Sequence, residues 1–102
     1  MYLGELEQLL ILAMVKLDKA ATAASIRALV EEATDRKVWI GAVHTTLDRL
    51  EAKGLVKSAI SERPEGRRKT FAPTPAGARA IKRVQETWAY LTAYKVPSVL
   101  PK

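Results

Sequence analysis

The chain has 102 residues, 48% of them apolar and 27% charged, with no cysteine and a single histidine, His44. That is one domain with enough apolar content to bury a core, and it excludes disulfides, thiolate metal centres, cysteine nucleophiles and a histidine-cluster metal site within one chain. The net charge of +6 is unevenly spread: residues 1–35 carry three bases and six acids, residues 36–102 fourteen bases and five acids. A basic C-terminal two-thirds fits a polyanionic partner, most commonly nucleic acid, and fits a well-solvated surface equally well.

The first element is a helix over Glu5–Leu17. Leu6, Leu10, Ala13 and Leu17 share one face, while Leu9, Ile11, Leu12, Met14 and Val15 fill most other directions. A helix apolar nearly all round must be covered nearly all round, either by the rest of its own chain or by a second subunit. The longest apolar run, Leu9–Val15, has seven residues, against roughly 17–25 for a membrane span. The acidic start Gly4-Glu5 does not read as a signal peptide, and the expectation is a cytoplasmic protein.

Asp18–Ala20 reads as a connector, followed by a helix over Thr22–Ala33 with Thr22 as its cap and Ile26, Leu29, Val30 and Ala33 as its stripe. Glu31, Glu32 and Asp35 crowd its C-terminal end, where the helix dipole disfavours acids. Val38-Trp39-Ile40 predicts a three-residue strand with Trp39 in the core, broken by Gly41. A third helix follows over Ala42–Lys53, with Val43, Leu47 and Leu50 inward, Thr45, Asp48, Arg49 and Ala52 outward, and His44 near its start. Gly54 ends it in the left-handed conformation.

Leu55–Ser61 and Lys69–Ala72 predict two strands joined by the polar turn Glu62–Arg68, a hairpin with a basic tip of Arg63, Arg67, Arg68 and Lys69. Thr74-Pro75 is an N-cap with proline at the first helical position, opening a last helix over Pro75–Thr92 with the stripe Ile81, Val84, Trp88 and Leu91. Pro97 and Pro101 mark a frayed tail. There is no internal repeat and no low-complexity segment.

The order is helix, helix, tiny strand, helix, hairpin, helix: a mainly α fold with a small β-hairpin, of winged helix-turn-helix type. In such modules the third helix enters the major groove of DNA and the hairpin, or wing, lies along the backbone or in the minor groove. Three segments carry a resemblance: Leu3–Leu12 (LGELEQLLIL), Ile40–Val56 (IGAVHTTLDRLEAKGLV) and Gly66–Gly77 (GRRKTFAPTPAG). Together they resemble the PadR-like transcriptional regulators over about residues 3–85. The resemblance implies a winged helix-turn-helix that dimerises through its terminal helices and represses transcription at a palindromic operator. For some members it also implies a small aromatic effector near the dimer interface. The expectation is the short subtype, with one C-terminal helix and without the large effector domain of longer members. The chain departs from the family pattern at His44, where Tyr is usual, and at Thr22-Ala23, where Tyr-Gly is usual.

The expected organisation is a DNA-binding domain over 1–73, a dimerisation helix over 74–92 and a flexible tail over 93–102. Expected contacts to double-stranded DNA are His44, Thr45, Arg49, Arg63, Arg67, Arg68 and Lys69. Leu9, Leu12, Ile81, Val84, Trp88 and Leu91 are expected at a homodimer interface. Trp88 reads first as packing, and as one wall of a slot for a flat aromatic ligand if the last helix crosses its two-fold mate. No cofactor or metal is called for. No enzyme arrangement is visible either: there is no Ser-His-Asp set, no glycine-rich phosphate loop and no paired carboxylates beside pocket-forming segments. The rival reading is a winged-helix protein-interaction adaptor, which usually lacks a basic wing and a recognition helix together.

Overall fold

A computed structural model describes residues 2–93 of the protein. The helices are α1 (Glu5–Leu17), α2 (Ala23–Thr34), α3 (Ile40–Ala52) and α4 (Pro75–Leu91), and the strands are β1 (Val56–Arg63) and β2 (Gly66–Pro73). A single 3-10 turn over Asp18–Ala20 joins α1 to α2. The expected tail with Pro97 and Pro101 lies outside the described residues apart from its first residue.

Local chemistry accounts for the helix starts. Thr22 caps α2 by accepting from the Ser25 amide at 3.1 Å, and the Ser25 hydroxyl accepts from the Thr22 amide at 2.9 Å, a reciprocal capping box. Thr74 caps α4 by accepting from the Gly77 amide at 3.1 Å, with Pro75 following. At the start of α1, Glu7 reaches back to the Gly4 amide at 2.9 Å.

The core forms where α1, α2 and α3 converge, and its fully buried side chains are Leu10, Ile11, Met14, Ile26, Val30, Val43, Leu47 and Leu50. Leu55, Val56 and Phe71 from the base of the hairpin and Ile81 from α4 complete it. Ile81, expected at a dimer interface, is thus buried within its own chain.

The hairpin is antiparallel, in register from Val56 opposite Pro73 to Arg63 opposite Gly66. Only Pro64 and Glu65 lie between the strands, so the wing is longer than the sequence suggested and its bases sit on strand arms. A backbone bond to the wing comes from an unexpected place: the Phe71 amide donates to the Ala21 carbonyl at 2.8 Å. The residue that meets the wing therefore precedes α2. The strand expected at Val38–Ile40 does not form, because α3 begins at Ile40 and the polar groups of Val38 are taken by side chains of α2.

One corner holds α3, the wing and α4 together. The Leu55 amide donates to the Leu50 carbonyl at 3.0 Å, the Leu55 carbonyl accepts from Thr74 N–H at 3.0 Å, and the Thr74 hydroxyl donates to the Gly54 carbonyl at 2.7 Å. Gly54 has φ of 74°, the conformation expected of it. Gly77 lets α4 approach this corner, since a Cβ there would collide with the Leu55 carbonyl.

A second tie joins residues 46 apart in the sequence. Glu7, its side chain 9% exposed, accepts from Lys53 Nζ at 2.7 Å and so pins the start of α1 to the end of α3. Burial by itself would raise the Glu7 pKa, but the Lys53 hydrogen bond, the Gly4 amide and the charges of Lys53 and Arg49 outweigh it and hold the carboxyl below its ordinary value of 4.5. A depressed carboxyl contributes stability that is present above its unfolded pKa and lost as pH falls through the folded one. Glu7→Gln, which keeps the acceptor for Gly4 but removes the charge, should lower stability near pH 7 by about 1–3 kcal/mol. Thermal unfolding followed from pH 7 to pH 3 should show the two proteins converging in acid; parallel curves would remove the pair from the stability of the fold.

Candidate nucleic-acid interface

α3 divides cleanly into two faces. Val43, Thr46, Leu47 and Leu50 are buried, whereas Gly41, His44, Thr45, Asp48, Arg49 and Ala52 are exposed. The 3.6-residue period places these six on one continuous stripe. His44, Thr45 and Arg49 therefore share the outward surface as expected. Arg49 stands on its α1 side, close enough for its charge to act on Glu7, and Glu51 on the other flank accepts from the Ser58 hydroxyl at 3.0 Å.

The direction of α3 is set by the turn before it. The Val38 amide donates to Glu31 Oε2 at 2.8 Å, and the Val38 carbonyl accepts from Arg27 Nε at 2.7 Å. Arg27 and Glu31 are one helical turn apart on α2 and lie 3.8 Å from each other. Both polar backbone groups of Val38 are thus held by a charged pair, with charge-assisted bonds stronger than neutral ones. This explains the acid at the unfavourable end of α2: Glu31 is there to receive the incoming turn. Asp35 follows in the left-handed region, with φ of 53°.

Trp39 corrects an expectation. It occupies the N-cap of α3 with no side-chain cap bond, and it is 74% exposed instead of packed in the core. The helix starts two residues before Ala42, so Trp39 stands at its end. No acid lies in the first turn of α3, which leaves that turn favourable to negative charge.

The wing's bases divide between its two faces, since side chains alternate along a strand and cross-strand partners share a face. Glu62 with Arg67, Ile60 with Lys69 and Ser58 with Phe71 occupy one face; Ser61 with Arg68, Arg63 with Gly66 and Lys57 with Ala72 occupy the other. Because Ser58 bonds Glu51 of α3, the Arg67–Lys69 face is the one turned toward α3. Arg67 Nε lies 3.5 Å from Glu62 in a fully solvated pair, and Lys69 Nζ stands 5.4 Å above the Phe71 ring. Among the described residues, Lys57, Arg63 and Arg68 form no ion pair. Lys57 went unremarked in the sequence, where it stands apart from the run at 63–69.

At the far side of the molecule, Val84 is half-buried while Trp88 and Leu91 are 59% and 62% exposed on α4. Together with Tyr2, Leu3 and Gln8 they border an open groove of about 720 Å³ between α4 and the N-terminal segment. Leu9 is half-buried, and Leu12 is partly exposed together with its neighbour Val15. Among the described residues there is no cluster of three potential metal ligands and no helix long and apolar enough to cross a membrane.

Four helices with a two-stranded hairpin, the third helix bare on one face, define a winged-helix protein. The model of the transcriptional regulator PadR-like family matches residues 11–83, and the chain belongs to that family. Its members are DNA-binding transcriptional regulators and not enzymes. A PadR-like transcription factor from Bacteroides fragilis superposes with a TM-score of 0.72 at 27% identity, covering 88% of this chain and 85% of that one. A PadR family regulator from Clostridium difficile R20291 gives 0.72 at 25% identity, covering 88% and 93%. The winged-helix DNA-binding protein F93 from STIV shares the fold, with a TM-score of 0.71 at 14% identity over 92% and 98%. No curated protein matches the chain.

The Val38 clamp makes a differential prediction. Glu31→Ala should cost about 1–3 kcal/mol by stranding the Val38 amide and loosening Arg27. Arg36→Ala, which breaks an equally short 2.8 Å pair with Glu5 in full solvent, should cost less than about 1 kcal/mol. Urea unfolding of both variants checks the order; equal losses would mean that the clamp is no more than a surface pair.

Proposed function

We propose that the protein is a cytoplasmic transcriptional repressor that binds an inverted-repeat operator as a homodimer. The observation that carries this reading is the bare stripe of α3 from Gly41 to Ala52 set beside a wing with bases on both faces. In this reading His44, Thr45 and Arg49 meet base edges in the major groove, where arginine pairs bidentately with guanine. Arg63, Arg67, Arg68 and Lys69 meet phosphates, with Arg67 leaving its weak pair with Glu62.

The dimer forms through α4 and α1. Trp88, Leu91 and the outer edge of Val84, with Leu12 and Val15, give more apolar surface than a small solvated domain ordinarily leaves open. Leu9 and Ile81 support this surface from beneath. A two-fold axis there presents two identical α3 helices to one side of the duplex, which requires half-sites in inverted orientation about one helical turn, roughly 34 Å, apart or a multiple of it. A flat aromatic effector fits beside Trp88 in the groove, and it relieves repression if it binds the DNA-incompetent spacing more tightly than the competent one.

Anisotropy titrations with a duplex selected from a random pool test this reading. If the dimer neutralises about 6–10 phosphates, log K should fall against log salt with a slope of roughly −5 to −9. Arg67→Ala with Arg68→Ala should flatten that slope for all sequences, whereas Thr45→Ala or Arg49→Ala should change which sequence is preferred. The pair Val84→Asp and Leu91→Asp should give monomers. A one-chain mass for the parent at micromolar concentration, or an unchanged slope in the wing variant, would contradict the corresponding part.

A further inference from the structure

Trp39 is a large ring displayed in water at the entrance of α3 by a backbone that is not free to move. Val38 before it is bonded at both polar groups, to Glu31 and Arg27, and the Trp39 carbonyl accepts from the Val43 amide at 3.2 Å. Nothing in the fold calls for tryptophan here. A helix N-cap ordinarily favours a short polar side chain that bonds the first amides, and Trp39 makes no such bond. The ring gains little from burial at 74% exposure, and Ile40 beside it, 39% exposed, extends the apolar surface. Beyond it the α3 stripe begins at once: Gly41 has open space where a side chain would stand, and His44 and Thr45 follow outward. The neighbouring charges are the bases Arg36 and Lys37 and the acids Glu5 and Glu31; Glu5 is engaged by Arg36 at 2.8 Å, and Glu31 by the Val38 amide at 2.8 Å and by Arg27 at 3.8 Å.

We propose that Trp39 is a specificity-determining contact to duplex DNA, packing its ring against a thymine methyl and the adjacent deoxyribose at the end of the half-site where α3 enters the major groove. This rests on the reading of α3 as the DNA-facing helix. The thymine methyl is the apolar group that the major groove presents, and an exposed apolar ring at the first end of that helix, with the bases Arg36 and Lys37 just before it in the chain, matches it. Because the ring carries no charge, its contribution differs in kind from that of the wing: it selects sequence without releasing counterions.

The test uses the full chain and its selected duplex, with parent, Trp39→Ala and Trp39→Phe compared. Trp39 is solvent-exposed, so both variants should unfold at the parent's temperature, which keeps folding out of the comparison. Trp39→Ala should bind about tenfold more weakly with the same salt slope, and Trp39→Phe should recover part of the loss. Replacing thymine by deoxyuridine at the contacted position, which removes only the methyl, should weaken the parent about fourfold and leave Trp39→Ala unaffected. Quenching of tryptophan emission by the duplex should be lost in Trp39→Phe. If Trp39→Ala binds as the parent does, or uridine weakens both alike at every position, the ring does not read DNA and the proposal falls while the role of α3 stands. If Thr45→Ala and Arg49→Ala also leave sequence preference unchanged, the role of α3 falls with it. Loss of binding accompanied by a smaller salt slope would assign Trp39 to backbone positioning and overturn its role in specificity.

Discussion

The corner at Gly54–Leu55 is the constraint on which the rest of the molecule depends. Three segments leave it in different directions: α3 ends there, the wing begins there, and α4 is tied back to it through Thr74 and Gly77. Because every bond at the corner is made to a backbone group, by other backbone groups or by the short Thr74 hydroxyl, main-chain geometry sets the angles among the three segments. The charged stretch on β2 and the bare stripe on α3 therefore hold a fixed relation to each other. A DNA surface made of two elements needs that rigidity, since phosphate contacts from one element set the register in which the other meets the bases. The same corner links α3 and the wing to α4.

Around that corner, charge is used in two different ways. The pairs inside the fold, Glu7 with Lys53 at 2.7 Å and Glu31 with Arg27 at 3.8 Å, are partly shielded and tied to backbone groups. They orient α1, α2 and the turn into α3. The bases on the wing are solvated, and Arg67 is held only by a 3.5 Å contact with Glu62, a pair that costs little to open. The acids concentrate in α1 and α2, where several are bound up in such contacts, which leaves the basic excess of residues 36–102 to face outward.

Much of the fold was legible locally. Thr22, Gly54 and Thr74-Pro75 mark boundaries through chemistry that acts within three or four residues, and each marks a boundary in the structure. The inward positions of α3 followed from periodicity, and the same periodicity placed Thr45 and Arg49 outward. What escaped was set at long range. Val38-Trp39-Ile40 has the composition of a strand, but α3 begins at Ile40, and the sheet among the described residues holds β1 and β2 alone. Side chains eleven and seven residues earlier claim Val38 instead, and Trp39 is left in solvent. Glu7 and Lys53 are 46 residues apart, so nothing near either residue announces their pairing. The wing's division into two basic faces depends on where the turn falls, and a polar run from Glu62 to Arg68 does not reveal that only Pro64 and Glu65 form it.

The most direct measurement is the pattern of backbone amide shifts as a selected duplex is added to labelled protein. Shifts concentrated in residues 40–52 and 57–70, with the acidic end of α2 unmoved, are expected if α3 and the wing form one DNA-facing surface. Shifts centred on the groove between α4 and the N-terminal segment, with α3 unmoved, would contradict it.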